Sequence, residues 1–254
     1  MHASLLAAYG PQHWWPAETP FEVILGAYLT QNTSWKAVER SLANLRAAGA
    51  LTVEGLRGIS LAELRRQIRP SGFYERKAAA LKAFVALLDR EFGGSPDRMA
   101  AAPTETLRAQ VLELPGVGPE TADSILLYAL GHAVPVADEY LRRVVTRHIL
   151  RTPAPGNAKI AYGALADLTR RAFAADPPEK RAQLYNEFHA LIVAVGKAHC
   201  GPAARCEGCP LADDRKRSRE RSACGSDARK QAPHAKTSRG RRNAAGGRLP
   251  FRVI

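Results

Sequence analysis

The sequence predicts an all-α protein. Three observations carry that expectation. Apolar residues recur at helical spacing in stretch after stretch up to about residue 210, the breaks between stretches fall on Gly and Pro, and no alternating strand pattern of useful length occurs. Phe21 to Leu29 is the first strong stretch, and Trp35 to Ala47 continues with Val38, Leu42 and Leu45 on one face. Leu61 to Ile68 reads as a shorter helix stopped by Pro70. Lys77 to Phe92 is long, with Leu81, Phe84, Val85 and Leu88 in register, and Gly93-Gly94 ends it. Thr104 to Glu113 and Pro119 to Leu130 flank the string Leu114-Pro115-Gly116-Val117-Gly118. Glu139 to Arg151, Lys159 to Ala174 and Gln183 to Lys197 complete the set.

Charge says more about the partner than about the fold. The 254 residues carry a formal net charge of +13, which points to a polyanion. From Leu211 to Ile254 there are 13 Lys/Arg against 4 Asp/Glu, so this tail holds +9 of the total. It is poor in large apolar residues, and burial there cannot offset the entropy of ordering; it reads as a disordered tail, either a solubiliser or a non-specific phosphate-binding arm. No apolar run approaches the roughly 20 residues of a membrane helix, and residues 1–10 lack the pattern of a signal peptide. A cytoplasmic, nucleoid-associated monomer is expected.

The string Leu114-Pro115-Gly116-Val117-Gly118-Pro119-Glu120-Thr121-Ala122 lies between two helical stretches. Its glycines permit backbone shapes closed to other residues, and Pro119 suits a first helical position. The loop amides and the first turn of the next helix then converge on one spot with a positive dipole behind them. Such a spot holds a phosphate without a basic side chain. Gly116, Val117, Gly118, Glu120 and Thr121 are the residues placed there, with Lys77 and Arg76 as further phosphate candidates; a solvated helix start explains the last two equally well.

This motif, with the helices around it, resembles the helix-hairpin-helix of the endonuclease III superfamily of DNA glycosylases, and the resemblance runs from about Trp14 to Pro210. It implies a helical barrel domain over 20–132, a second helical domain built from 1–19 and 133–210, and double-stranded DNA held between them. Val134-Pro135-Val136-Ala137-Asp138-Glu139 looks like the segment in which an aspartate opens a helix after a short apolar stretch. Asp138 is therefore the expected catalytic carboxylate. Breaking an N-glycosidic bond gives the sugar oxocarbenium-ion character, which a fixed anion stabilises. Asp89, Asp123 and Asp167 are rival carboxylates inside helical patterns; Asp138 could also be an ordinary helix cap, and both roles are compatible. Where bifunctional members carry a Schiff-base lysine, this sequence has Glu120. A carboxylate cannot form an imine, so the resemblance implies a monofunctional enzyme using water.

Trp14-Trp15-Pro16, Leu29-Thr30-Gln31-Asn32-Thr33 and Arg69-Pro70-Ser71-Gly72-Phe73-Tyr74 are similar to the branch that removes alkylated purines such as 3-methyladenine. A cationic methylated purine suits stacking on electron-rich rings, worth roughly 0.5–2 kcal/mol per contact. Trp14 and Trp15 are the expected base wall, with Tyr28 and Trp35 as further candidates; adjacent tryptophans could also seal a core edge. Gln31 is expected to fill the gap left by a flipped base, and Phe73 to wedge the opposite strand.

Cys200, Cys206, Cys209 and Cys224 cluster as a metal site would. The family's Cys-x6-Cys-x2-Cys-x5-Cys run holds a [4Fe–4S] cluster, whereas the spacing here is x5, x2 and x14. Cys206-Glu207-Gly208-Cys209-Pro210 matches; Cys224 follows a basic insertion. A [4Fe–4S] cluster of structural role is the expectation, with zinc, or an unbound Cys224, as the alternative.

Overall fold

A computed structural model describes residues 1–12, 14, 17–150 and 160–213, and these described residues fall in one compact unit. Twelve α-helices lie among the described residues, with no strand, only an isolated bridge between Cys200 and Ala204. They are α1 (His2–Tyr9), α2 (Pro20–Leu29), α3 (Trp35–Ala47), α4 (Val53–Gly58), α5 (Leu61–Gln67) and α6 (Tyr74–Phe92). Then follow α7 (Pro96–Ala100), α8 (Thr104–Leu112), α9 (Pro119–Ser124), α10 (Glu139–Val145), α11 (Tyr162–Ala172) and α12 (Arg181–Ala198). None is long and apolar enough to cross a membrane.

Side-chain caps start many of these helices where the sequence supplies a short oxygen. Thr19, Thr52, Ser60 and Ser95 each accept the amide three residues on. Such a cap contributes about 1 kcal/mol. At the other end of α6, Gly93 takes φ 59°, and Gly94 N–H returns to Leu88 O at 3.0 Å, the stop that Gly93-Gly94 predicts.

The core is organised around α2. From Phe21 to Leu29 every residue is buried, which matches its unbroken apolar run. Around it pack α3, α6, α9 and the turn after α9. Leu25, Leu45, Leu56, Leu64, Leu81, Phe84 and Leu88 are fully buried. A second set of contacts joins α12 to α1 and α10, and α10 to α11. The two sets meet at residues Ile125–Ala129, which touch both α2 and α12. This stretch is a π-turn continuing α9, and Thr146–Leu150 is a second one continuing α10. Such wide turns rotate the side chains that follow them and recur at functional sites. Gly196 lets α10 and α12 approach: a Cβ there would sit 2.2 Å from Tyr140 Cδ1.

Candidate active site

Asp138 is the N-cap of α10, and its Oδ1 accepts the Leu141 amide at 2.7 Å. It is also buried, which a simple surface cap would not be. Its Oδ2 lies 3.3 Å from Nε2 of His189, a residue of α12. Burial alone would raise this carboxyl; His189 and the Leu141 and Tyr140 amides outweigh it, holding the carboxyl below the ordinary aspartate value. The site thus keeps a dry anion, as stabilising a developing cation requires.

Aromatic rings stand beside it. Tyr128, in the π-turn after α9, meets His189 Nδ1 through its hydroxyl and stacks on the imidazole at 5.9 Å between centroids. Trp14 packs edge-on against both, 5.8 Å from Tyr128 and 5.3 Å from His189. Burial and the charge of Asp138 push the Tyr128 phenol well up, so it stays neutral. Glu120 is exposed at the start of α9, where desolvation and the neighbouring Asp138 raise its carboxyl while His189 lowers it.

The hairpin departs from the sequence expectation in one detail. Gly116 has φ 74°, where glycine is needed, but Gly118 is extended at −99° and a Cβ there would meet nothing. Pro119 opens α9 as expected. Gln31 Nε2 spans the motif, donating to Gly116 O at 3.2 Å and Thr121 Oγ1 at 3.0 Å. Gln31, Asn32, Phe73, Arg76 and Gly116 border a cavity of about 100 Å³. Phe73 is 62 % exposed.

Three candidates sit elsewhere than expected. Tyr28 is 1 % exposed and packs edge-on against Phe84, a core ring at the floor of that cavity, not a wall beside Asp138. Trp35 opens α3 and lines another groove with Glu18, Glu22, Glu39 and Arg46. Lys77 is buried, and its ammonium donates to Leu29 O at 2.8 Å and Ser71 O at 2.7 Å, so it ties the Gln31 and Phe73 turns together instead of meeting a phosphate on the surface. Neighbouring Arg76 is exposed. Asp123 is spent structurally: it pairs with Arg108 at 2.6 Å and accepts the Tyr162 hydroxyl at 2.8 Å. Trp15 and Cys224 lie outside the described residues.

His189 and Tyr128 are the residues beside Asp138 that sequence reasoning missed. A histidine in the apolar run Phe188-His189-Ala190-Leu191 was the available signal, but nothing local reveals that Asp138 arrives opposite it.

Three of the four cysteines lie among the described residues. Cys209 N–H donates to Cys206 O at 3.3 Å, so these two share one turn, while Cys200 is buried and its Sγ accepts Arg147 Nη1 at 3.1 Å. Thiol-only donors suit a [4Fe–4S] cluster or zinc in kind. Among the described residues, however, no three Cys, His, Asp or Glu side chains converge as a metal requires. The donor types fit either group, the fourth cysteine lies outside the described residues, and no chemistry at Asp138 depends on the group.

An all-α fold with a glycine hairpin opening a helix defines a helix-hairpin-helix protein. The chain belongs to the HhH-GPD superfamily of base excision DNA repair proteins, whose model matches residues 25–165. A Methanocaldococcus jannaschii protein bearing the provisional name DNA repair glycosylase MJ1434 is 40% identical over 209 residues, 82% of this chain and 90% of its own. The H. pylori 3-methyladenine DNA glycosylase bound to 1,N6-ethenoadenine superposes with a TM-score of 0.63 at 30% identity, covering 77% of this chain and 93% of that one. A trapped endonuclease III–DNA covalent intermediate gives 0.67 at 21% identity, covering 85% and 95%, a likeness of fold.

Proposed function

We propose that this protein is a monofunctional DNA glycosylase that hydrolyses the glycosidic bond of alkylated purines. The observation that carries the reading is the buried, ionised Asp138 beside the Trp14, Tyr128 and His189 rings. A flipped cationic base against Trp14 gains cation–π attraction, and its bond to the sugar is already weak. As that bond breaks, the positive charge on the sugar faces Asp138, and water completes the hydrolysis. Glu120 stands where an imine-forming lysine would be needed, so the abasic product leaves with its backbone intact. The likeness to the H. pylori 3-methyladenine glycosylase supports the substrate class. Gln31 and Phe73 would fill the gap and wedge the duplex, while the hairpin amides of Gly116 to Thr121 hold a phosphate. Cys200, Cys206, Cys209 and Cys224 would hold a [4Fe–4S] cluster that braces the chain after α12.

Single-turnover incubation with methylated duplex DNA tests this. Free 3-methyladenine, with strand breaks only after alkali, is the expected result. No release of methylated bases moves the substrate to oxidised pyrimidines or mismatched bases; breaks without alkali overturn the monofunctional reading.

A further inference from the structure

Three groups from separate parts of the chain form a line: Tyr128 from the π-turn, His189 from α12 and Asp138 at the head of α10. His189 is 7 % exposed, and its Nε2 has no other hydrogen-bond partner among the described residues. We infer that His189 is a positioning residue, one that aims the Asp138 carboxylate at the sugar and is itself set by Tyr128. The inference rests on the assignment of Asp138 as the catalytic anion.

The chemistry of the donors decides the arrangement. An ionised carboxylate only accepts, so the ring nitrogen facing it carries the proton. In the neutral ring a proton on Nε2 leaves Nδ1 as an acceptor for the Tyr128 hydroxyl. Tyr128 thereby selects the tautomer that Asp138 needs. The 3.3 Å separation is loose and not aligned as a hydrogen bond, a geometry of the kind that tightens when substrate arrives. Leu141 N–H holds Oδ1, so His189 on Oδ2 completes control of the carboxylate plane. The same helix that carries His189 packs on α10 and on the π-turn, so the three groups share one support.

Other charges face Asp138. Glu120 approaches from α9 and Glu139 follows it on α10, though Glu139 is paired with Arg142 and Arg143. Asp138 and Glu139 both oppose ionisation of Glu120, whereas His189 favours the ionised form of Asp138.

The test uses the full-length protein. His189→Leu keeps bulk and removes the donor, His189→Gln returns an amide N–H near the Nε2 position, and Tyr128→Phe removes the tautomer control. His189→Leu is expected to lower single-turnover base release by about 10²-fold, the cost of a misplaced catalytic group. DNA affinity should not change, and the acid limb of the rate profile should move to higher pH. His189→Gln should recover most of the rate, and Tyr128→Phe should fall between. Equal losses in the Leu and Gln variants, or an unmoved acid limb, would overturn the inference. Imidazole ¹⁵N spectra supply a readout independent of activity: wild type should show His189 protonated at Nε2, with its signal shifted by Asp138→Asn. If no base is released but that coupling is present, the functional reading fails and the pair stands; if base is released and the coupling is absent, the pair fails.

Discussion

Asn32 and Phe73 both hold left-handed backbone, at φ 52° and 46°, and both border the same cavity. They are the two non-glycine residues at positive φ among the described residues. Each such conformation costs roughly 1–2 kcal/mol, and exposing a phenyl ring adds to the cost at Phe73. Strain gathered at one rim, beside Gln31, is what a surface shaped for a partner would show. Phe73→Gly relieves both costs. Thermal melting should show an unchanged or higher Tm, while release from fully paired DNA falls about tenfold and release from a lesion in an unpaired loop falls much less, because unpairing no longer needs the wedge. A loss equal in both substrates would remove Phe73 from the flipping step.

Asp138→Asn separates the cap from the chemistry. Asn caps helices about as well as Asp, so α10 should survive, while melting near neutral pH should fall only by what the ionised carboxylate contributes. Base release should fall by at least about 10³-fold with DNA binding retained; retained release would make Asp138 a cap alone. The acid dependence has a definite sign. The folded carboxyl lies below its ordinary value, so its stabilisation is present above the unfolded pKa and disappears as pH falls through the folded one. Acid titration of unfolding should therefore be shallower in Asp138→Asn than in wild type across that interval.

The long amphipathic stretches were legible because burial imposes their period: α2, α3, α6 and α12 lie close to where Phe21 to Leu29, Trp35 to Ala47, Lys77 to Phe92 and Gln183 to Lys197 predict them. Helix α1 and the short α4 and α7 were not. Helix α4 contains Gly55 and Gly58, and α7 spans only five residues, too few for a period. The π-turns were equally hidden, since a changed hydrogen-bond register leaves the apolar spacing almost intact. At the site, the context beyond the hairpin pointed to Asp138, which the structure buries at the head of α10. Where Tyr28 and Trp35 point was not legible, because aromatic type says nothing about direction, and the approach of His189 depended on a contact between distant segments.

Lys77 and Arg76 should part company. Lys77→Met strands the Leu29 and Ser71 carbonyls, each worth about 1–3 kcal/mol when buried unpaired. Chemical denaturation should show that loss, with the salt dependence of DNA binding unaltered. Arg76→Ala should leave stability within about 0.5 kcal/mol and reduce the salt slope of binding by about one unit. The reverse pattern would restore Lys77 to the phosphate contacts.

Residues 225–254 carry eight Lys/Arg and one Asp. If they touch phosphates, deleting them weakens binding to all sequences alike and flattens the plot of log affinity against log salt. Titrations at several salt concentrations measure this directly, and an unchanged slope returns the segment to a solubilising role.

Glu120→Lys puts an amine on the second residue of α9, within electrostatic reach of Asp138 and His189. Two consequences follow from charge and reach. A cation replaces a carboxylate near Asp138, so Asp138 should stay ionised to lower pH. The new amine, beside the scissile sugar, should attack it and form an imine that borohydride reduces to a stable protein–DNA adduct. Gel electrophoresis of borohydride-treated reactions should show that adduct in Glu120→Lys and none in wild type. Adduct in wild type would mean that another lysine reaches the sugar, and then the backbone-sparing product is lost as well. Adduct in neither protein, with base release intact, would place residue 120 out of reach of the sugar and leave Asp138 and its aromatic neighbours as the part of the site that stands.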